Sequence, residues 1–302
     1  MVVNRNGLSE LALLEPVGLR VGWRERMLER VHDAVDAEVP GVALSPGDVR
    51  VAGSCVEWWH LTRGARPVTP SLGEIRGDLI RAVLARWLEQ KALWEVVDNT
   101  VFVREFLADE TNLDPSMAAW LHLEDDAFTR MVVNEATRAI RQLSSTWPGL
   151  AEDPTLHLGP LISDTLIGGV HVEASGVDVT LGEATFTDTT VWPGSTLVRF
   201  MPFRLIPDMF DDMGLCAVVH GLATGAPPER LVLWSWSTGE SATFVVHPAW
   251  WEEHLARFLD AAIELGRFEH RGVARLSGGP QCVMCPSWRT CPASEADQYP
   301  PF

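Results

Sequence analysis

Lysine is all but absent from this chain: Lys91 is the only one in 302 residues, so arginine carries nearly all the positive charge. Tyrosine is as scarce, with Tyr299 alone. Acids outnumber bases 41 to 24, and the formal net charge of -17 repels a polyanion at long range. Any contact with nucleic acid must therefore be local. No apolar run approaches the roughly 20 residues a membrane-spanning helix needs. The opening MVVNRNGLSELALLEP lacks the basic start, apolar stretch and small-residue cleavage site of a signal peptide, so a cytoplasmic protein is expected. The chain has no G-x-x-x-x-G-K-S/T phosphate loop, which excludes a helicase or ATPase built on one, and no G-x-S-x-G elbow. Internal repeats and low-complexity linkers are missing too.

What is present suffices for a sizeable core. With 46% hydrophobic residues, the chain can form one elaborated domain or two small ones. Apolar residues at helical spacing predict a helix within 14–38, and VEWWHLTRG reads as a short helix ending at Gly64. A long amphipathic helix is expected over 74–97, from Ile75, Leu79, Ile80, Val83, Leu84, Trp87 and Leu88, and another over 115–143. From 155 to 203 β-branched residues and glycines rise, with turn signals between them, which predicts an antiparallel meander. A short helix over 207–223 follows, then two strands joined by a Ser-Thr-Gly-Glu turn, then a helix opening at Pro248 and ending at Gly266. The order predicts an α/β core under a helical cap.

Cys282, Cys285 and Cys291 form a C-x2-C-x5-C run, with Cys55 as a distant fourth candidate. Thiolates bind soft metals and iron-sulfur clusters, and the glycines and prolines of GGPQCVMCPSWRTCPAS permit the tight turn that faces two cysteines at one group. Structural zinc on four sulfurs, or four unconnected thiols, are the competing readings. Cys216, in the apolar run MGLCAVVHGL, reads as a buried small hydrophobe.

A lone cysteine followed by the aromatic and basic VEWWHLTRG, then an α/β core, then CVMCPSWRTC resembles the iron-sulfur branch of the RecB-like PD-(D/E)XK nucleases. That branch includes the AddB nuclease domain and the CRISPR-associated adaptation exonucleases. The resemblance implies a restriction-endonuclease-like fold over 48–295, with an N-terminal helical extension over 1–47 and a tail over 296–302. It also implies a 4Fe-4S cluster on Cys55, Cys282, Cys285 and Cys291 that pins the C-terminal segment to the early helices. WhiB-like regulators share the cysteine spacing but are much smaller and carry no strand-rich core between the ligands.

Members of that nuclease family hold Mg2+ or Mn2+ on two acids and use a lysine beside them. The resemblance places these in a G-x-x-x-H helix, a G-x-x-D strand, a (D/E)-x-K strand and a Q-x-x-x-Y helix. Here the helix reads Gly77-Asp78-Leu79-Ile80-Arg81, with Arg81 at the histidine position. Gly176-Val177-Asp178 is similar to the aspartate strand and makes Asp178 the surviving metal-ligand candidate, with Glu173 just before it. The next strand offers Arg199, Phe200 and Arg204 in place of acid and lysine, and Lys91 lies too early to substitute. The last helix has Asp208, Asp211 and Asp212 near the glutamine position and no tyrosine. Arginine steadies phosphate charge but supplies no carboxylate. The expectation is a DNA-metabolism protein that binds or scaffolds, with DNA or a protein as partner, and cuts little or not at all. The alternative is an active nuclease on a rearranged acidic site: Glu173, Asp178, Glu183 and Asp188 lie in one expected meander, where alternation puts residues of like parity on one strand face, and two of these carboxylates with His171 or His220 would hold a divalent ion. Asp178 as a plain solvent-facing turn acid is the bland reading.

Thirteen tryptophans include the doublets Trp58-Trp59 and Trp250-Trp251 and the pair Trp234 and Trp236. Core packing and cluster shielding account for them most simply, although Trp58, Trp59, His60 and Arg63 beside Cys55 could form a base-stacking surface. The acids Glu124-Asp125-Asp126 and Glu295 to Asp297 read as solvated faces.

Overall fold

The structure, a computed structural model, describes residues 2–4, 55, 71–91, 98–123, 126–148, 150, 156–158, 161–167, 170–174, 177–182, 184–186, 190–192, 195–207, 209–224, 227–271, 282, 285 and 289–293. In chain order the described elements begin with β1 (Val2–Asn4), α1 (Leu72–Lys91), α2 (Asn99–Ala108), a 3-10 turn (Glu110–Asn112), α3 (Pro115–Leu123) and α4 (Asp126–Thr146). The strand-rich middle holds β2 (His157–Leu158), β3 (Leu161–Ile167), β4 (Val170–Ala174), β5 (Val179–Leu181), β6 (Ala184–Phe186), β7 (Thr190–Trp192) and β8 (Thr196–Met201). Then come α5 (Met209–Asp212), α6 (Gly214–Thr224), β9 (Arg230–Ser235), β10 (Ser241–Val245) and α7 (Pro248–Arg271).

Helix α1 starts where its sequence says it should. Ser71 and Glu74 close a capping box: the Ser71 N–H donates to Glu74 Oε2 at 2.7 Å and the Glu74 N–H to Ser71 Oγ at 3.2 Å. Its apolar stripe, Ile75 to Leu88, is buried, chiefly against α4. The central sheet runs β1-β10-β9-β8-β5-β2. Only β8 and β9 run parallel among these neighbours, and α6 is part of the crossover that a parallel pair requires. The alternation of a pleated strand sends Val179, Leu181, Val198, Phe200, Val232 and Trp234 to the face covered by α1, α2 and α4. Leu197, Leu231 and Leu233 are buried on the other side. There α6 and α7 pack together, and the Trp251 indole N–H donates to the Ala217 carbonyl at 3.0 Å. Trp234 sits at the centre of the first layer, edge-on to Phe200 at 5.5 Å and tilted against Trp147 at 6.1 Å. Burying each such ring contributes about 1.5–3 kcal/mol.

An α/β class is thus observed, and the β9–β10 hairpin with its turn at Gly239 (φ +73°) is where the sequence predicts it. Several boundaries differ. The helix expected over 115–143 is two helices, α3 and α4, and α7 continues through Gly266 to Arg271 because the flanking helical pattern outweighs one glycine. The meander over 155–203 holds only for β2, β5 and β8; the pairs β3–β4 and β6–β7 form separate two-stranded sheets inserted between them. Helix α2 went unpredicted, although Asp98 is a clear cap: its carboxylate accepts from the Thr100 N–H at 2.7 Å and from the Val101 N–H at 3.3 Å. β1, inside the expected N-terminal extension, pairs antiparallel with β10 as an edge strand of the central sheet. The helices expected within 14–38 and 57–64 lie outside the described residues. Among the described residues, no helix is long and apolar enough to cross a membrane.

Candidate functional site

Asp178 stands at the start of β5, where that strand meets the end of β8. Its own N–H donates to the Val198 carbonyl at 2.9 Å, so the backbone holds it in the sheet. Its carboxylate then carries the pairing one step further: Oδ2 accepts from the Phe200 N–H at 2.6 Å. Val179 pairs with Val198, which sets Asp178 across from Arg199 on the adjoining strand. The aspartate side chain is only 15% exposed.

Helix α1 brings the second half of the site. Arg81 reaches over the strand ends, its Nε 3.4 Å from the Phe200 carbonyl, to which it donates, and 3.9 Å from Asp178 Oδ1. One turn earlier, Asp78 Oδ1 accepts from Arg81 Nη1 at 2.5 Å, holding the guanidinium in place. Gly77 of the same helix lies beside Pro202, the residue after β8. Two acids and two arginines therefore meet here, and their formal charges cancel. Burial still dominates at Asp178: it pushes the carboxyl up to about 6, against the Phe200 hydrogen bond and the charges of Arg81 and Arg199.

The consequence for a metal ion follows from the distances. A divalent cation would need to sit about 2.0–2.6 Å from the Asp178 carboxylate, inside the neighbourhood already held by a guanidinium that stays protonated. By Coulomb's law each guanidinium repels such an ion about as strongly as one carboxylate at the same distance attracts it, so two acids matched by two arginines offer a divalent ion no net charge. The arrangement suits a structural ion pair better than a metal centre.

Of the rearranged acidic set, Asp178 is the member described at this site. Glu173 lies on β4, in the β3–β4 sheet, a different sheet from the central one that Asp178 adjoins. His171 lies on that same strand β4. Glu183 and Asp188 fall outside the described residues. His220 is buried on α6. Asp211 and Asp212 are exposed on α5, and Asp208 is outside the described residues. Sequence reasoning selected Asp178, Arg81 and Arg199 but missed Asp78 as the partner of Arg81; the i, i+3 acid-to-base spacing on a helix was the available signal.

Of the four candidate cluster cysteines, Cys55, Cys282 and Cys285 are buried and Cys291 is partly so. A backbone turn links two of them, with the Cys285 N–H donating to the Cys282 carbonyl at 3.2 Å. None of the five cysteines is in a disulfide. Among the described residues, no group of three or more His, Cys, Asp and Glu side chains is placed to hold one metal ion. Cys216 is buried on α6, and burial pushes its thiol up to about 11, as befits an unreactive core cysteine. Trp58, Trp59, His60 and Arg63 lie outside the described residues, whereas Trp234, Trp236 and Trp251 are fully buried.

No model of a known protein family matches the chain, and no curated protein matches it either.

Proposed function

We propose that this chain is a RecB-like PD-(D/E)XK nuclease descendant of the iron-sulfur branch that has exchanged metal-dependent cleavage for binding or scaffolding in DNA metabolism. The reading is carried by one observation: Arg81, Asp178 and Arg199, selected by the family's helix motif and its two strand motifs, stand together at one end of the sheet. The motif order, helix, strand, strand, helix, also follows α1, β5, β8 and α6 along the chain. What the site lacks is negative charge to spare, since Asp78 and Asp178 are answered by Arg81 and Arg199.

Cys55, Cys282, Cys285 and Cys291 would hold a 4Fe-4S cluster. Supporting this, the donors are all soft thiols, three are buried, and they come from both ends of the chain. When bound, such a cluster would supply a covalent tie between those ends. Iron and acid-labile sulfide measured on protein purified without oxygen test it: Cys55→Ala is expected to lose the colour and Cys216→Ala to keep it.

The functional reading is tested by incubating that protein with Mg2+ or Mn2+ and labelled single- and double-stranded DNA, beside Asp178→Ala. Equal, background-level products from both are expected. Cleavage that the substitution abolishes would reinstate an active nuclease. If DNA binding is absent even at low salt, the partner is a protein.

A further inference from the structure

The exposed side of α4 forms a groove whose chemistry runs against that of the molecule as a whole. Ala127, Arg130, Met131, Asn134, Glu135 and Arg138 line a cavity of about 710 Å³. Arg130, Asn134 and Arg138 follow at four-residue steps and are exposed. Met131, between the two arginines, is 39% exposed, a large apolar side chain where solvent would favour a polar one. Arg76 of α1 reaches two of these residues, its Nη1 3.8 Å from the Met131 sulfur and its Nε 3.6 Å from Glu135 Oε2.

Glu135 does not offset these charges towards solvent. It is turned inward, 14% exposed, and its Oε1 accepts from the Trp236 indole N–H at 3.2 Å. Among the described lining residues, the outward charges are therefore those of Arg130 and Arg138, on a chain of net charge -17.

We propose that this groove docks an acidic amphipathic segment of a partner protein. Arginine forks bind carboxylates in bidentate pairs. Arg130 and Arg138 stand about 12 Å apart along the helix axis, the spacing of carboxylates about two turns apart on a facing helix. Met131 between them takes an apolar residue, as flexible methionines do at binding surfaces. Nucleic acid fits less well. None of the described lining residues is aromatic, so these residues offer no plane to a base. A duplex, with one charge per roughly 1.7 Å of its axis, would also be repelled by the molecule's negative field along its length, more strongly than a segment with a few acids. The inference needs neither the cluster nor the nuclease ancestry.

The test uses the full chain and a fluorescein-labelled helical peptide with glutamates about two turns apart and leucines between them. Anisotropy is followed at low and raised salt, with a labelled single-stranded oligonucleotide in parallel. Arg130→Glu with Arg138→Glu is expected to weaken the peptide at least about tenfold, and Met131→Glu similarly, while Arg104→Glu, exposed on α2, leaves it unchanged. Because Arg130 and Arg138 are exposed, unchanged melting of the double variant checks that the fold survives. Equal binding by wild type and the double variant, no peptide binding by wild type, or an oligonucleotide that binds in place of the peptide and is lost in the double variant would each overturn the proposal.

Discussion

At Asp178, burial and electrostatics pull in opposite directions, and burial wins. The folded carboxyl titrates at about 6 against an ordinary 3.8, so between those values the folded chain holds a proton that the unfolded chain has lost. Stability from this group is fully present below about pH 4 and is lost as the pH rises through about 6. A shift of this size corresponds to about 2–3 kcal/mol at most. Asparagine is neutral at every pH and keeps an acceptor for the Phe200 N–H. Asp178→Asn is therefore predicted to be the more stable protein at pH 8, by up to about 2 kcal/mol, with the difference vanishing near pH 4; urea melts at the two pH values measure it. Gly214 makes a second residue-scale case. A Cβ there would lie 1.8 Å from His254 Cδ2, and the imidazole has nowhere to go, since its ring lies 3.9 Å from that of Trp250 and its Nδ1 is 2.9 Å from the Trp250 carbonyl. Gly214→Ala should cost about 1–3 kcal/mol or more. Adding His254→Ala should return part of that loss, and thermal melts of the four proteins in the cycle read the coupling directly.

Among the elements, the joint between α4 and the end of β9 is tied by a polar contact. Trp236, directly after β9, is fully buried, donates its indole N–H to Glu135 of α4, and receives backbone support through its N–H to the Met201 carbonyl at 3.1 Å. Trp236→Phe keeps most of the ring and removes the donor, so a loss of about 1 kcal/mol is expected from denaturant melts, with more if Glu135 loses its remaining anchor to Arg76. What the sequence revealed of such elements depended on whether the signal was local. The α1 stripe from Ile75 to Leu88, the α7 start at Pro248 and the β9–β10 turn at Gly239 are written in periodicity and turn chemistry, and all three appear. The nesting of β3–β4 and β6–β7 inside the strands of the central sheet is a matter of long-range pairing, which alternation alone does not encode. That is why Glu173 was grouped with Asp178 although the two strands belong to different sheets. Of this site the sequence singled out Asp178 and read Arg81 and Arg199 as replacements at lost motif positions; Asp78 was illegible, because its role depends on how Arg81 turns in space.

For the molecule as a whole, the scarcity of lysine and the excess of acid acquire a structural counterpart. Positive charge is delivered by arginines at chosen places: Arg81 and Arg199 at the sheet end, Arg76, Arg130 and Arg138 along the α4 groove. At the sheet end the Arg81 guanidinium stands beside Asp178, and the proposed exchange of a metal ion for an arginine is the centre of the account. Titration of the full chain with Mn2+, followed by the paramagnetic resonance of the free ion, tests it most directly. No site that depends on Asp178 is predicted, with wild type and Asp178→Ala indistinguishable. One tightly bound Mn2+ per chain in the wild type, lost in Asp178→Ala, would contradict it.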